Sequence, residues 1–125
     1  MTSVTTAASD TTRAVIDQFN DAVNRRDIDG LRATITDDCI FESPGAPDGG
    51  RYVGGEMVNV FAEVMSMEGE GPFDAEEIVV CGDRAVVRWV HTWDHGEGQR
   101  GHVRGIDLFR VRNGRVCEKL SYVKG

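Results

Sequence analysis

Cysteine is scarce and unpatterned in this 125-residue chain: Cys39, Cys81 and Cys117 are an odd number with no C-x-x-C spacing. Neither a disulfide framework nor a structural zinc site is indicated. Histidine is as sparse, with three residues and no H-x-H or H-E-x-x-H pattern, so no metal is expected at the site. No run approaches the roughly 18 consecutive apolar residues of a membrane span. The first ten residues, MTSVTTAASD, lack the basic start and apolar stretch of a secretory signal and read as a disordered lead-in. Positive charge is in deficit, with 14 basic residues against 21 acidic and a net charge of -7. That balance argues against a nucleic-acid binder, which needs a basic stripe, and against electrostatic docking on anionic lipid. The expectation is a reduced, cytoplasmic protein.

What is present is ordinary globular composition, 40% apolar and 28% charged. Residues 11–125 are expected to form a single domain, long enough for one real core. Val15, Phe19, Ala22 and Val23 recur at helical spacing, with N-cap chemistry at Asp10 and Thr11 and a stop near Asn24. Asp27 reads as a fresh N-cap for a short second helix carrying Ile28, Leu31 and Ile35. Residues 39–43 alternate as a strand, and PGAPDGG (44–50) is a loop. Met57, Val60, Phe61, Val64 and Met65 form the stripe of a helix over 55–67, which the run EGEGP ends. Strands follow at 76–81, 84–95, 102–112 and 115–123, with turns at Gly82-Asp83, GEGQRG and Asn113-Gly114. Helices gathered early and strands gathered late predict an α+β fold, its antiparallel-rich sheet curled around the helices.

Three phrases carry a more specific resemblance: FNDAVNRRDIDGLRATITDDCIFESPG (19–45), the short helix from Glu56, and RGIDLFRVRNGRV (104–116). They resemble the nuclear transport factor 2-like superfamily, in its SnoaL-like and ketosteroid-isomerase-like branch. The resemblance implies a cystatin-like cone, a curved sheet around helices with a deep apolar pocket, and in many members a dimer. It implies functions from double-bond isomerisation, aldol cyclisation, dehydration and epoxide opening to binding without catalysis. Carried over by position, the isomerase base of the "E-D-P" phrase falls on Ser43 in Glu42-Ser43-Pro44. The oxyanion donor of the first helix falls on Phe19. The second oxyanion donor is kept as Asp107 in Ile106-Asp107-Leu108-Phe109-Arg110. The last-strand Asp of the cyclase and epoxide hydrolase types falls on Ser121. One acid of the isomerase set is present, and each known base is replaced.

Strand alternation gives a second route to the site. Trp89, His91 and Trp93 share one face of the strand 84–95, and Asp107 and Phe109 share one face of the strand 102–112. A turn centred on Gln99 pairs residues whose numbers sum to 198, which sets His91 opposite Asp107 and Trp89 opposite Phe109. A neutral Asp107 would then donate to a developing enolate; a charged Asp107 would instead orient His91 as the acid or base. Asp107 and His91 are the expected catalytic pair. Phe19, Phe41, Ser43, Tyr52, Phe61, Trp89, Trp93, Phe109 and Ser121 are the expected substrate contacts, with Tyr52 capping the pocket mouth. Glu42 is expected at the surface, and the three cysteines as buried filler. No cofactor is called for.

On the opposite face, Val86, Val90, Ile106 and Leu108 alternate with Arg88, Arg104 and Arg110, the pattern of a homodimer interface or of a surface partly covered by arginine stems. Three functions stay open. The first is cofactor-independent proton transfer, of isomerase, cyclase or dehydratase type, on a small hydrophobic carbonyl compound such as a polyketide or steroid. The second is binding of such a compound without turnover. The third is assembly through the outer face.

Overall fold

The apolar spacing from Val15 to Val23 becomes the buried stripe of α1 (Val4–Asn24), with Ile16 and Phe19 almost fully enclosed. The computed structural model describes residues 4–45 and 47–125. The helix starts well before the expected cap at Asp10, so residues 4–10 of the expected lead-in are its first turns. Residues 1–3 lie outside the described residues. Tertiary anchoring explains the longer helix. Thr12 Oγ1 donates to Gly82 O at 2.7 Å, and Gly82 N donates to Ser9 Oγ at 2.8 Å, which ties α1 to a distant strand turn.

Arg26 takes a positive φ of 58° just past α1, the left-handed residue that commonly ends a helix. Asp27 then caps α2 (Ile28–Ala33), its carboxylate accepting from Gly30 N at 2.9 Å as the sequence predicts. Ile35, expected in that helix, instead begins β1 (Ile35–Glu42). Just after the expected loop comes the short β2 (Arg51–Val53), which the sequence reading leaves unassigned and which pairs Tyr52 with Phe41. The third helix, α3 (Gly55–Met65), matches its predicted stripe. The strands β3 (Glu70–Cys81), β4 (Arg84–Asp94), β5 (Arg100–Arg112) and β6 (Arg115–Val123) complete the chain. The β5–β6 turn has positive φ at both Asn113 and Gly114, the geometry a two-residue hairpin favours.

The six strands lie in the order β2-β1-β6-β5-β4-β3, all antiparallel except the β1–β6 pair. Register shifts in β1 and β3, and another where β5 meets β6, bend and twist the sheet. The result is the expected α+β architecture, a curved sheet closed by α1 and α3. Phe19 joins its two sides, meeting Phe61 of α3 edge-on at 5.9 Å and Phe109 of β5 at 5.4 Å. Burying each such ring stabilises the fold by about 1.5–3 kcal/mol.

β3 begins at Glu70, earlier than the glycine-rich run EGEGP suggests. Asn24 at the end of α1 supplies the missing neighbour: its Nδ2 donates to Phe73 O at 3.0 Å, and its Oδ1 accepts from Phe73 N at 2.9 Å. The Arg26 guanidinium donates to the carbonyls of Met65 and Glu70. An arginine and an asparagine therefore stand in for strand pairing at this edge.

On the outer face Val86 and Ile106 are exposed, while Val90 and Leu108 are half-buried. Arg104 pairs with Glu76, and Arg88 with Glu77, within the chain. Cys39 and Cys117 are buried as expected; Cys81 is exposed, because it ends the edge strand β3. Among the described residues no helix is long and apolar enough to cross a membrane.

Candidate functional site

The inner face of the sheet, α1 and α3 enclose a pocket of about 390 Å³, within the usual range for small-ligand sites. Its wall is mostly apolar: Phe19, Val23, Phe41, Phe61, Val64, Phe73, Val87 and Trp89. Among the polar side chains that interrupt it, two groups stand out.

The first lies where β5 and β6 pair Asp107 with Ser121. Lys119 Nζ donates to Ser121 Oγ at 2.7 Å, and Ser121 Oγ donates to Asp107 Oδ1 at 2.7 Å. Lys119 Nζ also stands 3.4 Å from Asp107 Oδ2, closing a three-membered ring of contacts. All three side chains are buried. Around the ammonium lie the rings of Phe41, Phe61 and Phe109, with centroids 4.6, 5.3 and 5.9 Å from Nζ. Burial pushes the Lys119 ammonium below its ordinary pKa, while the Asp107 carboxylate pulls the other way. Nearby, burial raises the Cys39 thiol to about 12, which keeps it neutral at ordinary pH.

The second group is His91. Its Nε2 lies 3.3 Å from Glu70 Oε2 and its Nδ1 3.4 Å from Pro72 O. The Phe73 ring stacks on the imidazole at 4.1 Å and 15°. His95 Nε2 also approaches Glu70 Oε2, at 3.8 Å.

The expected His91–Asp107 contact does not form. β4 and β5 pair residues whose numbers sum to 194, so Val87 faces Asp107, His91 faces Val103 and Trp89 faces Gly105. Three successive positive φ values, at Gly96, Glu97 and Gly98, centre the turn on Glu97. The shift in the sum is even, so both side chains keep the inner face. They stand four residues apart along the strand direction, about 13 Å at 3.3 Å per residue. The tryptophans favour this register. A Cβ on Gly105 would sit 2.5 Å from the Trp89 ring, and one on Gly101 would sit 2.5 Å from the Trp93 ring, so each indole covers the glycine opposite it.

Of the expected contacts, Phe19, Phe41, Ser43, Phe61, Trp89 and Ser121 line the pocket beside Asp107 and His91. Phe109, Tyr52 and Trp93 do not. Phe109 is sealed behind Phe19. Tyr52 lies on β2, stacked on Phe41 at 6.0 Å and outside the pocket lining. Trp93 sits over Gly101, beyond His91 on the strand. Ser43 Oγ accepts from Gly50 N at 2.8 Å, fastening the loop rather than serving the pocket floor. Glu42 is half-buried, not fully at the surface. The Trp89 Nε1–H is buried with no acceptor among the described residues.

Lys119 is the functional side chain that the sequence reading passes over. Its signal is positional: in RVCEKLSYV it shares the inward face with Cys117 and Ser121. Glu70 and Arg26 are also missed, because only the early start of β3 brings them to the pocket. No group of three His, Cys, Asp or Glu among the described residues is placed to hold a metal ion.

A family model described as the SnoaL-like domain matches residues 16–119. The chain is similar to a solved NTF2-like protein of unknown function from Mesorhizobium loti, at 36% identity and a TM-score of 0.82, covering 94% of this chain and 93% of that one. An LEH-like epoxide hydrolase from M. tuberculosis has the same fold, at 17% identity and a TM-score of 0.77, covering 93% of this chain and 84% of that one. So does TerC, solved with polyporic acid, at 17% identity and a TM-score of 0.76, covering 91% and 92%. No curated protein matches the chain in sequence at a significant level.

Proposed function

This chain belongs to the SnoaL-like domain family of NTF2-like proteins, and from that premise we propose a cofactor-independent proton-transfer enzyme for a small hydrophobic, carbonyl-bearing compound. Polyketide-like and steroid-like molecules are the substrate class, and isomerisation, cyclisation or dehydration the reaction type. One observation carries the reading: Asp107, Ser121 and Lys119 converge by hydrogen bonds on a mostly apolar pocket. The desolvation cost of a buried ion pair can exceed the attraction it returns, so a pair set into a pocket wall points to a use beyond stability.

The roles follow from the contacts. A substrate carbonyl seated against Lys119 Nζ takes a hydrogen bond from the ammonium, which stabilises the oxyanion as it forms. The Asp107 carboxylate beside it accepts the proton from the adjacent carbon. Ser121, bonded to both, holds the pair in register and links their protons. His91, paired with Glu70 some distance along the sheet, serves a second proton transfer at the other end of a long substrate.

The test begins with binding. In a Trp93→Phe background, Trp89 fluorescence reports the pocket alone. Steroids, aromatic polyketides and terpenoid ketones are titrated, and saturating ligands are incubated with protein and analysed for product. The reading expects a product from at least one ligand, and a loss of about 10²–10⁴-fold in turnover on Asp107→Asn. Equal turnover in that variant sinks it. One feature favours the second reading, binding without chemistry: the three polar side chains satisfy one another by their own hydrogen bonds. Saturable binding with no product from any ligand supports that reading. Pairing of two copies through the outer sheet face belongs to both, and sedimentation velocity distinguishes a dimer from the 13.7 kDa chain.

A further inference from the structure

We infer that Lys119 forms a covalent imine with a carbonyl compound bound in the pocket, which makes it a nucleophile as well as a hydrogen-bond donor. The inference rests on the proton-transfer reading of the same site and adds a chemical step to it. Three observations on this chain lead there.

First, the chain uses lysine almost nowhere: of its 14 basic residues twelve are Arg, and the two lysines are Lys119 and Lys124. One of them lines the pocket, while the other is exposed near the C-terminus. Arginine holds its proton throughout the ordinary pH range, whereas a buried lysine gives its proton up readily and then becomes a nucleophile. Second, Nζ is buried in the pocket wall, and burial disfavours its charged form against the opposing pull of the Asp107 carboxylate and of the ring faces of Phe41, Phe61 and Phe109. Third, a proton acceptor is already in place, with Asp107 Oδ2 at 3.4 Å and a hydroxyl path through Ser121 Oγ.

The step balances within the site. Lys119 passes one ammonium proton to Asp107 and becomes a neutral amine. The Nζ lone pair attacks the carbonyl carbon, forming an N–C bond, and the carbonyl oxygen takes a proton from nitrogen. Asp107 returns its proton to the resulting hydroxyl, the C–O bond breaks, and water leaves. The product is an iminium ion paired with the Asp107 carboxylate. That cation withdraws electrons from the adjacent carbon more strongly than a hydrogen-bonded carbonyl does, and Asp107 is placed to take the proton it acidifies. No oxidant or reductant is consumed.

Reductive trapping on the whole chain tests this. The protein is incubated with cinnamaldehyde, benzylideneacetone or 2-acetylnaphthalene, with and without sodium borohydride. Binding is followed in parallel by Trp89 fluorescence. The inference expects a borohydride-dependent gain of one probe mass less its oxygen atom, mapped by peptide sequencing to Lys119 in preference to Lys124 and the N-terminus. Lys124→Arg should leave that adduct in place, and a saturating steroid or polyketide ligand should suppress it. Lys119→Arg, which keeps the charge beside Asp107, should abolish it. Saturable fluorescence change with labelling confined to Lys124 or the N-terminus overturns the imine and leaves the proton-transfer reading standing. No saturable change with any probe overturns both.

Discussion

At the scale of single residues, the central feature is a lysine and an aspartate buried together and joined by a serine hydroxyl. Removing one partner strands the other in an apolar pocket. Lys119→Met and Asp107→Asn are each expected to cost about 3–5 kcal/mol in urea unfolding. The double variant should cost less than the sum of the two, because the stranded charge is gone; additive losses would mean the groups do not interact. The pH response of two buried groups follows from their directions. The folded pKa of Lys119 is lowered, so the unfolded chain binds more protons in the window below 10.5, and stability rises with pH there. Cys39 has the opposite sign. Its thiol is raised from 9.0 to about 12, so its contribution is present below pH 9 and is lost as pH rises toward 12, at about 1.4 kcal/mol per unit. Cys39→Ala should therefore flatten the alkaline arm of a Tm–pH curve; an unchanged arm would assign the loss elsewhere. Asp107 was legible in the sequence, because a carboxylate on an apolar strand face needs a reason to be there. Lys119 was not: lysine is almost never buried without a partner, and its alternation with Cys117 and Ser121 was the only cue.

At the scale of elements, most helices and strands were readable from apolar spacing, because period and caps are local properties. The pairing of β4 with β5 was not. A hairpin's register depends on its turn, and GEGQRG offers several centres. The backbone resolves the ambiguity through positive φ at Gly96, Glu97 and Gly98, and through the two indoles lying over Gly101 and Gly105. A Cβ at Gly105 would approach Tyr122 O to 2.4 Å and the Trp89 ring to 2.5 Å. Gly105→Ala should thus cost about 1–3 kcal/mol and shift the Trp89 emission; a variant with wild-type Tm would remove the packing argument for this register. The start of β3 was equally hidden. It depends on Asn24 and Arg26, residues distant in sequence that supply hydrogen bonds a neighbouring strand would otherwise give.

For the molecule as a whole, the element order carried the architecture, and the position-by-position resemblance carried the pocket: Phe19, Ser43, Asp107 and Ser121 all line it. It did not carry the chemistry. At the two positions that the resemblance assigns to a base, this chain places Ser43 against a loop amide and Ser121 between an acid and an amine. The curved sheet thus presents one polar triad at the junction of β5 and β6 and a His91–Glu70 pair farther along, within a wall of aromatic and aliphatic side chains. The whole account turns on whether that triad moves a proton. The most direct measurement is solvent deuterium exchange at the carbon beside the carbonyl of 2-acetylnaphthalene, followed by proton NMR in D₂O with wild-type protein and Asp107→Asn. The account predicts saturable exchange above the buffer rate in the wild type, reduced about 10²–10⁴-fold in the variant. Saturable binding with exchange no faster than in buffer would contradict it.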